Sequence, residues 1–205
     1  MSTSLNELNI LISGVGGQGN LLASEIIASA AVKEGFKVRV ADIFGAAQRG
    51  GAVVSHIRVG KDAHSPVLPQ SSAHILLGFE PVECLRVANF LRPDCTAIVN
   101  TRPIVPSSVS LGIAKYPSMG EIIALLQKLV KSIITLDAVQ LARKAGDTMM
   151  VNIVMVGALS GAGGTPIQRD SFIQAIKELV PKGTEENNLE AFNLGFQNVR
   201  EKMAK

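Results

Sequence analysis

The feature that most constrains this chain is a glycine-rich turn placed between a strand-like stretch and a helix-like stretch. An apolar run ends at Ser13, and the turn Gly14-Val15-Gly16-Gly17-Gln18-Gly19 follows it directly. From Asn20 to Lys33, apolar residues recur at helical spacing. This order predicts a buried strand, a tight turn and a helix packed on the strand, which begin a βαβ unit. The start of such a helix directs backbone N–H groups and the positive end of its dipole at one point, where an anion can bind.

The turn also fits the GxGxxG pattern of dinucleotide-binding folds. In such folds an acidic residue at the end of the second strand binds the ribose, and Asp42 lies at about that distance from the turn. A single GxGxxG is weak evidence, however, because a glycine turn can also serve close packing. The motif alone leaves three interpretations open: a nucleotide site, a site for another anion, or a packing or partner contact.

The remaining strand-like runs predict a mixed sheet. Lys37–Asp42 and Val53–Val59 are joined by a short link, which favours antiparallel neighbours. We therefore expect a three-layer α/β/α fold, with a Rossmann-like mixed sheet, helices on both faces and a helical C-terminal part. Nothing in the sequence marks a linker, so residues 1–205 are predicted to form a single domain. Further buried strands are predicted at Ala73–Gly78, Cys95–Asn100 and Ser132–Asp137, with a short one at Leu111–Lys115.

Helices are predicted from apolar spacing and from their end signals. Pro81 suits the first turn of a helix from Glu80 to Leu91. Ser118 and Glu121 have the spacing of a capping box for a helix over 119–130. The last helices are expected over Met149–Leu159, from a cap at Asp170 to Leu179, and over Glu185–Met203.

Composition excludes several classes of protein. The net charge is +3 over 205 residues and the basic residues do not cluster with aromatics, so nucleic-acid binding is not expected. The apolar runs are shorter than a membrane span, and the first residues lack the basic start of a signal peptide, so we expect a cytoplasmic protein. Cys84 and Cys95 form no CxxC pair and are predicted to be buried free thiols.

Three polar residues stand out as candidates for binding or for structure. Gln18 brings an amide into the glycine turn, where it could reach a ligand, a neighbouring loop or solvent. Arg49 precedes Gly50 and Gly51, which allow close backbone approach beside a guanidinium, although an ion pair with Asp42 is an equal alternative. Asn152 interrupts an apolar helix, and we expect its amide to bond backbone in a neighbouring loop.

No catalytic apparatus is visible in the sequence. The three histidines are scattered without metal-ligand spacing, and neither a nucleophile elbow nor a lysine-containing P-loop occurs. A fold with a glycine turn but no acid, base or nucleophile suggests one part of a larger enzyme. We therefore predict no catalytic residue and no metal ligand in this chain.

Taken together, the motifs resemble those of the gamma subunit, or gamma domain, of the 2-oxoacid:ferredoxin oxidoreductases. The resemblance covers residues 8 to 196, and its motifs are far more specific in combination than GxGxxG alone. Within the family, free-standing chains of this length look most like the beta subunit of indolepyruvate:ferredoxin oxidoreductase. The matching positions include, in order, Gly14-Val-Gly-Gly-Gln-Gly19, Ala23, Ala30-Ala31, Gln48-Arg49-Gly50-Gly51, Ile57-Arg58-Val59, Asp137-Ala138, Leu141-Ala142, Gly146, Asn152 with Gly157-Ala158, Asn188, Ala191-Phe192 and Gly195.

The resemblance implies a function in which the chemistry is divided between subunits. A large alpha subunit would carry thiamine diphosphate and the iron–sulfur clusters, coenzyme A would be a co-substrate, and ferredoxin would interact through the complex. The reaction would be the oxidative decarboxylation of a 2-oxoacid to an acyl-CoA, carbon dioxide and reduced ferredoxin, with this chain inactive alone. The resemblance marks eight loop positions, which we expect to face either the partner subunit or coenzyme A: Gly14, Gly16, Gly17, Gln18, Gly19, Arg49, Gly50 and Gly51.

Three alternatives remain open at the level of sequence. The chain could be the gamma subunit of a pyruvate or 2-oxoglutarate ferredoxin oxidoreductase. It could instead be a stand-alone NAD(P)-binding Rossmann protein, in which Asp42 would contribute to affinity. A pure interaction scaffold would differ from the first interpretation in whether Gln18 or Arg49 touches substrate or coenzyme A.

Overall fold

The structure, a computed structural model, describes residues 6–45 and 50–204. Within them a six-stranded sheet has the order β2-β3-β1-β4-β5-β6. The strands are β1 (Leu8–Val15), β2 (Val38–Phe44), β3 (Ala52–Val59), β4 (Ala73–Gly78), β5 (Leu91–Asn100) and β6 (Ser132–Leu136). The helices are α1 (Asn20–Lys33), α2 (Pro81–Arg86), α3 (Ser107–Ser110), α4 (Met119–Leu126), α5 (Ala138–Ala145), α6 (Val151–Ala162), α7 (Arg169–Leu179) and α8 (Glu185–Met203).

The sheet is mixed, as the short link between the second and third strands predicts. β3 pairs antiparallel with both β1 and β2, whereas β1, β4, β5 and β6 run parallel to one another. The link is too short for a crossover helix, so β3 turns back beside β2 and comes to lie between β2 and β1. This insertion separates the two strands that are adjacent in a fully parallel Rossmann sheet.

Two apolar clusters lie on opposite faces of the sheet and define three layers. Alternating residues of β1 face different clusters: Ile10 and Ile12 contribute to the larger one and Leu11 to the smaller one. Residues of α1, α5, α6, α7 and α8 belong to the larger cluster, and residues of α2 and α4 to the smaller one. The predicted three-layer α/β/α architecture with a helical C-terminal part is therefore confirmed.

Several local predictions are confirmed and others are wrong. Ser118 and Glu121 form the capping box of α4, but that helix ends at Leu126 rather than at 130. The helix expected from Glu80 to Leu91 is shorter, since α2 ends at Arg86, a 3₁₀ turn follows over Ala88–Phe90, and Leu91 begins β5. Residues 111–115 form no strand, since Leu111 N and Ile113 N donate back to Ser107 O and Ser108 O.

The cap predicted for α7 is also wrong. Gln168 is its N-cap residue, and Asp170 lies inside the first turn of the helix. None of the helices in the described part of the chain has the combination of length and apolar character that crossing a membrane requires.

Candidate functional site at the glycine-loop edge

The glycine turn lies at the carboxyl end of β1 and leads directly into α1. Gly17 and Gly19 have φ angles of 99° and 77°, a left-handed region that glycine adopts without steric cost. Gly19 is the N-cap residue of α1 and offers no side chain to the first turn of that helix. The N–H groups at the start of α1 are therefore not capped by a side chain of the N-cap residue.

Gln18 connects the turn to the next parallel strand. Its Oε1 accepts a hydrogen bond from Val15 N at 2.8 Å, and its Nε2 donates to Phe79 O at 2.9 Å. A Cβ atom on Gly14 would lie 2.7 Å from Gln18 Oε1, so a side chain at that position would displace the amide. The Gln18 amide thus folds inward over the ends of β1 and β4, and both of its polar atoms already have partners within the chain.

The second family loop meets the first at the same edge of the sheet. Gly16 N donates to Gly51 O at 2.9 Å, and Gly51 immediately precedes β3, whose Ala52 pairs with Val15. Gly50 has a φ of 71°. Gln48 and Arg49 lie outside the described residues, and so does the alternative ion pair between Arg49 and Asp42.

Asp42 does not have the surroundings that a ribose-binding carboxylate requires. Its Oδ1 accepts hydrogen bonds from Ser24 Oγ, at 3.3 Å, and from Ser55 Oγ. It lies on β2, which β3 separates from β1 and its glycine turn. The carboxylate therefore joins α1 to β3, and the adjacent first and second strands of a dinucleotide fold are not present.

Asn152 connects the C-terminal helices to the glycine turn. Its side chain is buried, Nδ2 donates to Gly19 O at 3.4 Å, and Oδ1 accepts from Ile153 N at 2.9 Å. A Cβ atom on Gly19 would lie 2.6 Å from Asn152 Nδ2. The glycine at this position thus leaves room for an amide that lies 133 residues further along the chain.

Three cavities open around the two loops. One of about 180 Å³ lies between Gly17, Gln18 and Met149, and one of about 390 Å³ extends from Gly17 and Gly19 to Asn188. The third, of about 410 Å³, lies beyond Gly50. Its lining includes Glu80, Glu83, Arg86, Ile104, Lys115 and Tyr116.

Glu80, a buried carboxylate at this edge, was not among the predicted site residues. Its Oε1 accepts hydrogen bonds from Tyr116 Oη at 2.5 Å and from Ile104 N at 3.3 Å, and its Oε2 accepts from Glu83 N at 3.0 Å. Burial, together with the bond to Glu80, raises the pKa of Tyr116 above its usual range, so its phenol remains a donor. An acidic residue placed between a buried strand and Pro81 was a usable signal for a helix cap, but not for its distant partners.

Asn100 was also missed as a polar organiser of the same edge. It is fully buried at the end of β5, where Nδ2 donates to Phe79 O at 3.0 Å and Oδ1 accepts from Ala138 N at 3.1 Å. Phe79 O thus receives bonds from two amides, those of Gln18 and Asn100. An asparagine that ends an apolar strand was the signal, since a buried amide requires partners.

Neither cysteine contributes to this edge as a reactive group. Cys84 and Cys95 are buried free thiols, and burial raises the pKa of each to about 12. Among residues 6–45 and 50–204, no group of three histidine, cysteine or acidic side chains is arranged to hold a metal ion. The donor set of the described residues therefore does not fit an iron–sulfur cluster, which needs several thiolates.

These features define a three-layer α/β fold whose glycine turn is held by side-chain amides from three parts of the same chain: Gln18, Asn100 and Asn152. The profile of the family "Pyruvate ferredoxin/flavodoxin oxidoreductase" matches residues 9–198. The chain therefore belongs to the pyruvate ferredoxin/flavodoxin oxidoreductase family.

Curated relatives narrow the position of the chain within this family. The indolepyruvate oxidoreductase subunit IorB of Archaeoglobus fulgidus is 42% identical, over 92% of this chain and 94% of the relative. The IorB subunit of Thermococcus kodakarensis is 38% identical, over 96% and 98% of the two chains. The pyruvate synthase subunit PorC of Methanothermobacter marburgensis is 26% identical, over 94% and 98%.

A solved structure agrees with the fold. The gamma subunit of keto/oxoacid ferredoxin oxidoreductase from Geobacter sulfurreducens superposes with a TM-score of 0.70 at 23% identity, covering 97% of this chain and 99% of that one. At this identity the similarity concerns the fold alone.

Proposed function

We propose that this chain is the small, cluster-free subunit of an indolepyruvate:ferredoxin oxidoreductase. It would support CoA-dependent oxidative decarboxylation of an aryl pyruvate to an acyl-CoA, carbon dioxide and reduced ferredoxin, together with a large subunit that carries thiamine diphosphate and iron–sulfur clusters. The observation that carries the proposal is the identity of 38% and 42% to the two IorB subunits, along nearly the whole chain. The lower identity of 26% to PorC makes the pyruvate enzyme the weaker alternative.

The geometry of the glycine-loop edge favours an auxiliary rather than a catalytic role. Gln18 and Asn100 use their amides on backbone groups of this chain, and Glu80 binds Tyr116 and two backbone N–H groups. Gln18 and Asn100 do not titrate, and the titratable partner of Glu80 is Tyr116, whose raised pKa keeps its phenol protonated as a hydrogen-bond donor. In this proposal the two glycine loops shape a fixed edge that faces the partner subunit or coenzyme A, and the partner supplies the reacting groups.

Reconstitution tests the proposal directly. The purified chain alone should not reduce a viologen dye with indolepyruvate and coenzyme A, whereas mixing it with the separately purified large subunit should restore activity. Indolepyruvate should be used with a higher kcat/KM than pyruvate or 2-oxoglutarate in the same assay. Turnover by the isolated chain would contradict the proposed division of labour, and a preference for pyruvate would favour the alternative enzyme.

A further inference from the structure

Large apolar side chains are exposed on one short stretch of the molecule. We define the apolar segment as residues 103–113, between β5 and α4. Leu111 and Ile113 are 73% and 77% exposed, the highest values among the large apolar residues of the described chain except for Met149 at 74%. Ile104 and Val105 on the same segment are 42% and 47% exposed. Several exposed large apolar side chains on one short segment are typical of an interaction site.

The exposed segment is held in place rather than loosely attached. One carboxylate, Glu80, accepts a hydrogen bond from Ile104 N at its start and from Tyr116 Oη just beyond its end. Within the segment, Leu111 N and Ile113 N donate to the backbone oxygens of Ser107 and Ser108, each at 2.9 Å. These hydrogen bonds hold the backbone of the segment, while Leu111 and Ile113 bury little surface within the described chain and would gain hydrophobic free energy only when a partner covers them.

The apolar segment is continuous with the glycine-loop edge. Ile104 lines both the cavity of about 410 Å³ beside Gly50 and the cavity of about 180 Å³ beside Gly17. Met149, the third highly exposed apolar residue, lines the smaller of these cavities. The two loops and the apolar segment therefore form one surface.

Cations border this surface. Lys115 lines the cavity beyond Gly50, and Arg143 lines a cavity of about 340 Å³ together with Arg102 and Pro103. Arg102 is paired with Asp137 at 2.8 Å, whereas Lys115 and Arg143 make no ion pair with the residues that the structure describes. A partner that covers the apolar centre would match the border with carboxylates.

We infer that residues 103–113, with Met149, are the docking surface for the large subunit of the oxidoreductase, through an apolar patch on that subunit flanked by acidic side chains. This inference rests on the proposed function, because it takes the large subunit as the partner. Glu80 acts as a positioning residue, which fixes the segment for docking without contacting the reacting atoms. Leu111 and Ile113 are the anchors, and Lys115 and Arg143 steer the encounter.

The decisive experiment measures the affinity of full-length chains for the immobilised large subunit. The double variant Leu111→Asp/Ile113→Asp should raise Kd at least ~100-fold, because two carboxylates would be buried against an apolar patch. Both side chains are exposed, so the variant should keep the melting temperature of the wild type. The matched control is Val32→Asp/Met203→Asp, at apolar residues that are 58% and 54% exposed away from this surface, and its Kd should stay within ~3-fold of wild type.

Two further variants separate steering and positioning from anchoring. Lys115→Glu/Arg143→Glu should lower the association rate at least ~10-fold at low salt, and the difference should shrink as salt is added. Tyr116→Phe removes one of the bonds to Glu80 without changing an exposed residue, and should weaken binding ~3- to 10-fold while leaving kcat at saturating large subunit unchanged.

The outcomes distinguish this inference from the proposed function. If the wild-type chain neither binds the large subunit nor restores activity, the proposed function fails. If it does both and the Leu111→Asp/Ile113→Asp variant binds equally well, the docking surface lies elsewhere and only the inference is overturned. A wild-type dimer by light scattering that this variant converts to monomer would assign the surface to a second copy of the chain and would also overturn it.

Discussion

Two glycine-rich regions of this chain use glycine for different physical reasons. Where α6 crosses α8, a Cβ atom on Gly157 would lie 2.0 Å from Phe192 O, and one on Gly195 would lie 2.0 Å from Val154 O. In the turn before α1, the nearest neighbours of such an atom are side-chain amides at Gly14 and Gly19, and Gly17 has no neighbour within 4 Å. The helix crossing therefore requires glycine because the two backbones are in contact. The turn requires glycine because φ is positive at Gly17 and Gly19, and because side-chain amides occupy the space beside Gly14 and Gly19.

The largest effect should come from the helix crossing. Gly195→Ala places a methyl group against the backbone of α6, and since neither helix can yield locally, unfolding free energy should fall by about 3 kcal/mol or more. Denaturant unfolding of the wild type and of Gly195→Ala measures this loss of unfolding free energy. Gly120→Ala is the matched control, because Gly120 lies in α4 and a Cβ atom there would have no neighbour within 4 Å, and it should be neutral or stabilising by up to ~1 kcal/mol. Equal effects of the two substitutions would contradict the close-approach explanation.

An intermediate effect is expected for the amide that organises the turn. Gln18→Leu leaves Val15 N without its side-chain partner and leaves Phe79 O with the Asn100 amide alone, so stability should fall by ~2 kcal/mol. Gln197→Leu, on the exposed face of α8, should change it by less than ~0.5 kcal/mol. If Gln18→Leu behaved like this control, the amide would not be part of the folded framework, and a role toward a ligand or partner would gain support.

Smaller and separable effects should distinguish two glycines within the turn. Gly17→Ala suffers only from its positive φ and should lose ~1 kcal/mol, whereas Gly19→Ala also meets Asn152 and should lose more. A double-mutant cycle with Asn152→Ala measures the difference. Removal of the amide should recover part of the Gly19→Ala loss but none of the Gly17→Ala loss, and identical couplings would show that the clash with Asn152 is not real.

The smallest effect on stability is expected from adding a dinucleotide, and we expect none. A micromolar NADH site would stabilise the chain by ~4 kcal/mol at millimolar NADH, which a thermal shift detects easily. Because Asp42 is bonded to Ser24 and Ser55, we expect no shift with NADH. A clear shift in melting temperature that Asp42→Ala removes would restore the dinucleotide interpretation. The glycine turn would then serve a ligand rather than the side-chain amides of this chain.

Local patterns predicted a large part of the fold. The bounds of α1 and α8 and the capping box of α4 follow from apolar spacing and end residues, which act over a few positions. The short link before Val53 was enough to indicate a mixed sheet. The strand expected at residues 111–115 failed because a strand also needs a neighbour in the sheet, and that information is not local.

The positions of the two glycine loops in the sequence were predictable, but their contacts in the fold were not. The family motifs identify Gly14–Gly19 and Gly50–Gly51, and these loops do lie side by side through Gly16 N and Gly51 O. Glu80 could be seen as a helix cap, yet its bond to Tyr116 spans 36 residues and depends on where an irregular segment folds back. Neither helical nor strand periodicity in a sequence indicates a contact between residues so far apart.

The sequence by itself determined that a buried strand passes through a glycine turn into a helix, because strand, turn and helix follow from backbone preferences of neighbouring residues. Only the tertiary structure decided which contacts the turn makes. The crossing of chain segments far apart in sequence placed the Gln18 and Asn100 amides on Phe79 O and the Asn152 amide against Gly19. It also left Leu111 and Ile113 mostly exposed to solvent. Polar satisfaction and exposure are properties of the assembled fold, and they emerge only once the distant partners are in place.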